Sequence, residues 1–225
     1  MTRLKDNGGF TIVELLIAIA IFSAILLIIV YAFLFGVNEF TQAYVSSKTQ
    51  ETARSIEQAI TQSFDLTASG GYTVLNPIKN NSSGITTNGF CLGQYRYSFV
   101  TGMELNISVN ANLAHVFVQD IYPGCNISSS PQDLSGGVTL ATGSKELIGQ
   151  NMRVGYFNIN SNTTSNNETY YNIAFNIAYG DDNTLIRTDI SGTENTPLYS
   201  CPSVFINGKM CAFATINTIA YQRVQ

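Results

Sequence analysis

Hydrophobic positions change their spacing twice along this chain. From Phe10 to Val37 they are nearly continuous, 28 residues in which Glu14 is the only charge. That run exceeds the roughly 20 apolar residues that span a bilayer as a helix and the roughly 7–15 of a cleaved secretory signal, so it predicts a transmembrane helix. Beyond Val37 the apolar residues thin to three- and four-residue spacing: Phe40, Tyr44, then Ala53, Ile56, Ile60 and Phe64. Glu39, Lys48, Glu51, Arg54 and Glu57 lie between them, and neither Pro nor Gly occurs from Val37 to Ala68. This predicts that the helix continues, now amphipathic, to about Leu66, where Gly70-Gly71 stops it. At 1.5 Å per residue such a helix is about 85 Å long.

The second change is to period two. Tyr171, Ile173, Phe175, Ile177 and Tyr179 alternate with Tyr170, Asn172, Ala174, Asn176 and Ala178, the pattern of a half-buried antiparallel strand that covers the helix. Further strands are predicted at Gln94–Val100, Ala114–Ile121, Met152–Asn160, Thr184–Ile190 and Ala212–Val224. Asn207-Gly208 between Ser203–Ile206 and Lys209–Thr215 predicts a tight hairpin. Tyr72 to Gly89, rich in Asn, Ser, Gly and Thr, reads as surface loop, as do residues 126–145 and the polar stretch Ser161–Glu168. The expected fold is α+β: residues 10–37 the transmembrane half of a long helix, 38–66 its amphipathic half, and 67–225 an antiparallel β-rich globular head.

Ahead of the apolar run lie residues 1–9, with Arg3 and Lys5 against Asp6 and ending in Gly8-Gly9. Basic residues on this side place Met1 in the cytoplasm and the head outside. A carboxylate inside a membrane helix costs about 2.5–3.5 kcal/mol on insertion scales, so Glu14 calls for a partner. A cut between Gly9 and Phe10 creates one: an amino group one helical turn away, in the same subunit or a packed neighbour.

Gly9-Phe10-Thr11-x-x-Glu14-Leu15-Leu16 resembles the class III signal of type IV pilins and pseudopilins. The resemblance implies that prepilin peptidase cuts after Gly9, that Phe10 becomes the N-methylated first residue, and that Glu14 guides docking into a filament. It implies a subunit held by a single pass in the cytoplasmic membrane, then drawn by an assembly platform into a surface filament or periplasmic pseudopilus beside other pilin subunits. Many filament-building pilins carry Pro and Gly in the membrane half. Here neither occurs before Gly36, and Ser23 and Tyr31 stand where breakers are expected, which favours a minor pilin or pseudopilin. The layout of 147–179, with Leu-Ile-x-x-x-Met-Arg-Val leading into a strand pair, is similar to minor pilins and pseudopilins of the J or W type. A major pilin and a pseudopilin of a DNA-uptake or type II secretion machine are the alternatives. From another class, an anchored surface adhesin or receptor would keep residues 1–9.

Four cysteines outside the membrane predict two disulfides. Gaps of 33, 75 and 9 residues contain no C-x-x-C zinc knuckle. Cys91 and Cys125 flank two strand segments symmetrically, so antiparallel pairing of Tyr97 with Gln119 joins them. Cys201 and Cys211 remain as the second pair, which requires Pro202 to bend the chain.

Catalytic motifs are wanting. The single histidine, His115, has no G-x-S-x-G elbow to serve, and no Walker-type or H-E-x-x-H pattern occurs. It is expected to be a partly buried structural residue, and no cofactor is implied. Asp181-Asp182-Asn183 and Asp189 carry oxygens that suit calcium, but turn chemistry accounts for them without the twelve-residue loop pattern. Removing residues 1–9 leaves 14 acids against 9 bases. That balance opposes broad nucleic-acid binding and leaves only a local patch of Lys79, Arg96 and Lys209. Asn-x-Ser/Thr triplets at Asn81, Asn106, Asn126, Asn162 and Asn167 are expected by chance in so polar a chain.

Overall fold

The computed structural model describes residues 11–67, 71–81, 84–105, 115–135, 140, 142–164, 168–189, 197–202 and 210–221. The apolar run and the amphipathic stripe form one helix, α1, Ile12–Asp65. The chain divides into two compact units, the first ending at Thr41 and the second beginning at Gln42. In the first, the large apolar side chains of α1 are all exposed, and an 18-residue window reaches a mean hydropathy of 3.0. This helix is long and apolar enough to cross a membrane.

In the second unit α1 buries Val45, Thr49, Ala53, Ile56, Ile60 and Phe64, at four-, three- and four-residue steps along one face. The stripe begins later than the sequence suggests. Phe40 and Tyr44 remain 75% and 59% exposed because Val45 and Thr49 occupy the inward positions at that turn.

Eleven strands follow among the described residues: β1 Tyr72–Val74, β2 Ile78–Lys79, β3 Thr86–Leu92, β4 Tyr95–Phe99, β5 Phe117–Ile121, β6 Lys145–Glu146, β7 Met152–Thr163, β8 Thr169–Tyr179, β9 Ile186–Asp189, β10 Pro197–Ser200 and β11 Ala212–Tyr221. They pair antiparallel in three sheets. The largest runs β1-β3-β4-β5-β6 with β2 also on β3; the second runs β11-β8-β7; the third is β10-β9. Tyr97 pairs with Gln119, the register expected, although Cys91 lies on the adjacent β3, opposite Arg96.

Residues 72–89 differ from the loop expected of their composition, since they supply three strands. Burial of alternate residues in β3 outweighs the turn chemistry of its Thr, Asn and Gly. Gly89 belongs in the strand because a Cβ there would lie 2.6 Å from the Tyr97 carbonyl oxygen and 2.7 Å from Pro131 Cβ. The strand expected from Thr184 starts at Ile186 instead, because Thr184 closes the turn by bonding Asp181, its Oγ1 donating to the carbonyl at 2.9 Å. Asn207-Gly208 lies outside the described residues.

The core joins α1 to both larger sheets. Ala53, Ile56, Ile60 and Phe64 meet Phe90, Leu92, Tyr97 and Phe117 from one sheet and Ile173, Phe175 and Ile177 from the other. Each large side chain buried this way contributes roughly 1.5–3 kcal/mol. Phe64 lies 4.5 Å from Tyr171 between ring centroids, and Phe157 bridges Phe90 at 5.4 Å to Phe175 at 5.6 Å. Cys91 is bonded to Cys125 and Cys201 to Cys211, with Cα atoms 6.0 and 5.7 Å apart.

Candidate functional site

The first turn of α1 holds Glu14 in a closed arrangement with Thr11. The Thr11 backbone N–H donates to Glu14 Oε2 at 2.9 Å, and the Thr11 hydroxyl donates to the same oxygen at 3.0 Å. In return the Glu14 N–H donates to Thr11 Oγ1 at 3.3 Å. The Thr11 carbonyl accepts the first helical bond, from Leu15 N at 3.2 Å. Thr11 is therefore the N-cap and Glu14 the third helical residue of a capping box. The signature Thr-x-x-Glu ahead of an apolar run was visible in the sequence, and a reading centred on the amino group at Phe10 passes over it. Glu14 thus serves two demands: a carboxylate beside the positive end of the helix dipole, and the sole charge of the apolar run. Gly9 and Phe10 lie outside the described residues.

Other singled-out residues fall into separate structural roles. His115 Nδ1 is 3.3 Å from Glu146 Oε2, and the same carboxylate accepts from Val116 N at 3.2 Å and Phe117 N at 2.8 Å. Burial pushes Glu146 up to about 7, against the downward pull of those backbone donors, and burial also lowers His115. His115 is thus tied into the entry to β5.

Arg96 is withdrawn from the suggested basic patch. Its Nε and Nη2 grip Asp120 at 3.1 and 2.5 Å, its Nη1 donates to the Ser130 carbonyl at 3.0 Å, and the guanidinium covers the Tyr122 ring at 4.2 Å. Lys79 is exposed, and Lys209 lies outside the described residues. At the suggested calcium position, Asp182 pairs with Arg153 and Asp181 accepts from Thr184 Oγ1 at 2.8 Å. No group of three potential metal ligands occurs among the described residues.

Sequence reasoning missed Arg153, which is only 1% exposed and ties four segments together. Its Nη2 meets Glu104 at 3.0 Å and the Gly180 carbonyl at 2.8 Å, Nη1 pairs with Asp182, and the Tyr199 ring lies 5.3 Å away. Nothing in the local pattern marked it: Arg153 pairs with Ala178, on the face of the sheet opposite the core residues Met152 and Val154.

Residues 4–30 match the prokaryotic N-terminal methylation motif. No curated protein and no solved structure matches the chain. The matched segment is the class III signal of the type IV pilin and pseudopilin family, and it runs into the capped start of α1. That signal and the long apolar helix that follows it fit a membrane-anchored precursor. Such a signal implies processing by prepilin peptidase and assembly with other pilin subunits, which points to a structural subunit.

Proposed function

We propose that the chain is a minor pilin or pseudopilin, cut between Gly9 and Phe10, N-methylated at Phe10, and drawn from the cytoplasmic membrane into a filament or its initiating tip complex. The observation that carries this reading is the methylation motif at residues 4–30 leading into a helix whose apolar run holds a single carboxylate, Glu14. Residues 1–9 act as the leader, 10–37 as the membrane half of the stem, 38–66 as its amphipathic half and 67–225 as the extracellular head. Assembly is by association. Apolar stems pack in parallel, and Glu14 favours the axial register in which it meets a neighbouring subunit's amino group, because an unpaired carboxylate in that setting is costly. The uninterrupted helix from Ile12 to Asp65 supports the minor-subunit reading.

Mass spectra of the native protein from sheared surface filaments and from membranes, with its abundance in each, test the proposal. A chain starting at methylated Phe10 and scarce in filaments is expected. The same chain as the bulk of the filament would make it the major pilin. An uncut terminus confined to membranes would make it an anchored receptor. Replacing Gly9 with a bulky residue should block maturation, and an unchanged mature mass would refute the cleavage site.

A further inference from the structure

The β7–β8–β11 sheet turns one face into the core and leaves most of the other open. On the open face the register sets three rows across the strands: Asn162–Tyr170–Tyr221, Asn160–Asn172–Ile219 and Asn158–Ala174–Asn217. The next row closes the area. There Asn176 is buried, its Oδ1 accepting from Tyr199 N at 3.1 Å and its Nδ2 donating to Tyr199 O at 3.4 Å, which holds β10 against the sheet.

Three features of the open rows run against an ordinary solvated face. Five asparagines occupy strand positions, where this residue is disfavoured. None of their amides has a hydrogen-bond partner among the described residues, so no internal contact offsets that preference. No charged side chain occurs in the three rows. Positions that break a local rule without a compensating contact mark functional surfaces. At one end Tyr170 and Tyr221 lie side by side, ring centroids 6.2 Å apart, with Tyr221 59% exposed.

We propose that this face binds a neutral polysaccharide through its amide rows and the tyrosine pair. Each amide presents a donor and an acceptor, as each sugar hydroxyl does, and the tyrosines offer apolar ring area to the C–H face of a pyranose. The rows repeat at about 4.8 Å across the strands and roughly 6.8 Å along them, a lattice suited to a repeating polymer. Lack of charge separates this ligand from nucleic acids and acidic polymers, which need basic side chains. The surface lies wholly in the head and does not depend on the filament reading.

The test uses the full chain in lipid nanodiscs, free of glycoside detergents that would compete. Binding is measured by biolayer interferometry on immobilised dextran, galactomannan and xylan, with heparin and double-stranded DNA as charged probes. The expected result is retention on at least one neutral polymer, insensitive to added salt, and none on the charged probes. Asn160→Thr with Asn172→Thr should weaken binding by about tenfold or more, and Tyr221→Ala, which removes the exposed ring, should weaken it as well. Threonine suits a strand better than asparagine, so the double variant should unfold at the same temperature or higher. Absence of retention on all three neutral polymers, or equal binding by the double variant, overturns the proposal. So does self-association lost in the double variant without polysaccharide binding, which would make the face a contact between copies of the chain.

Discussion

The hydroxyl of Tyr97 on β4 lies 2.8 Å from Ser63 Oγ on α1, a buried polar bond in the middle of the helix–sheet core. Gln119 Nε2 donates to the same hydroxyl at 2.9 Å, and Ser63 Oγ also reaches the Ala59 carbonyl at 2.8 Å. Burial pushes the Tyr97 phenol up to about 12, so it stays protonated at every working pH. Because its partners sit on α1 and β5, this one group fixes the rotation of the helix over the sheet where apolar contacts alone tolerate sliding.

Tyr97→Phe keeps the ring and removes the bond, leaving the Gln119 amide without that partner. A loss of roughly 1–3 kcal/mol is expected, from the cost of unsatisfied buried groups. Combining it with Ser63→Ala should be less damaging than the two singles added together. Denaturant unfolding of the four proteins measures the coupling, and strictly additive losses would mean the bond does not act as a unit.

Arg153 invites a sharper comparison. Arg153→Ala opens a cavity and takes the guanidinium from Glu104 and the Gly180 carbonyl, so a cost of about 3–5 kcal/mol is expected. Arg153→Met retains most of the volume but leaves Glu104 and the Gly180 carbonyl without the guanidinium, so it should recover only the cavity part of that loss. The Asp182 partner is 86% exposed, so Asp182→Asn should shift stability by less than about 1 kcal/mol. Thermal unfolding of the three variants orders them; an Asp182 variant as damaging as Arg153→Ala would contradict the assignment.

The Glu146 carboxyl should make stability fall as pH rises from about 4.5 to about 7. The folded state holds the Glu146 proton to about 7, while its ordinary value is 4.5. Between these values the folded chain binds the extra proton, so raising pH favours unfolding, by up to about 3 kcal/mol in all. His115 acts with the opposite sign: lowered from 6.5, it favours unfolding as pH falls below that value. The difference between wild type and Glu146→Gln isolates the carboxyl. Wild type should lose stability relative to Glu146→Gln from pH 5 to pH 8, and a difference independent of pH would count against it.

The legible parts of this fold are those where one periodicity runs unbroken. The apolar run into the amphipathic stripe became α1, and the alternation from Tyr171 to Tyr179 became the inward face of β8. Local composition misled where burial is decided by distant partners. Thr86, Asn88 and Gly89 read as turn residues, yet β1, β2 and β4 surround them and make them strand. Arg153 was invisible because its partners Glu104 and Asp182 lie 49 and 29 positions away. At the candidate site Glu14 stood out as the one charge of the apolar run, whereas its pairing with Thr11 was overlooked in favour of an amino group at Phe10.

That pairing separates two roles for Glu14 that a simple deletion confounds. As the third residue of the capping box it needs only a side-chain acceptor, which glutamine also supplies. As a register device it needs a charge for a neighbouring amino group to meet. Glu14→Gln keeps the first and removes the second; Glu14→Val removes both. Cleavage after Gly9 is expected in all three chains, because the peptidase acts before assembly. Incorporation into filaments should fail in both variants if charge sets the register, and survive in Glu14→Gln if the cap alone matters. Thr11→Ala probes the other side, weakening the cap by about 0.5–2 kcal/mol while leaving the carboxylate free to meet its neighbour. It should therefore assemble where Glu14→Gln does not. Mature mass and the filament-to-membrane ratio, measured together for the four chains, decide between the two roles.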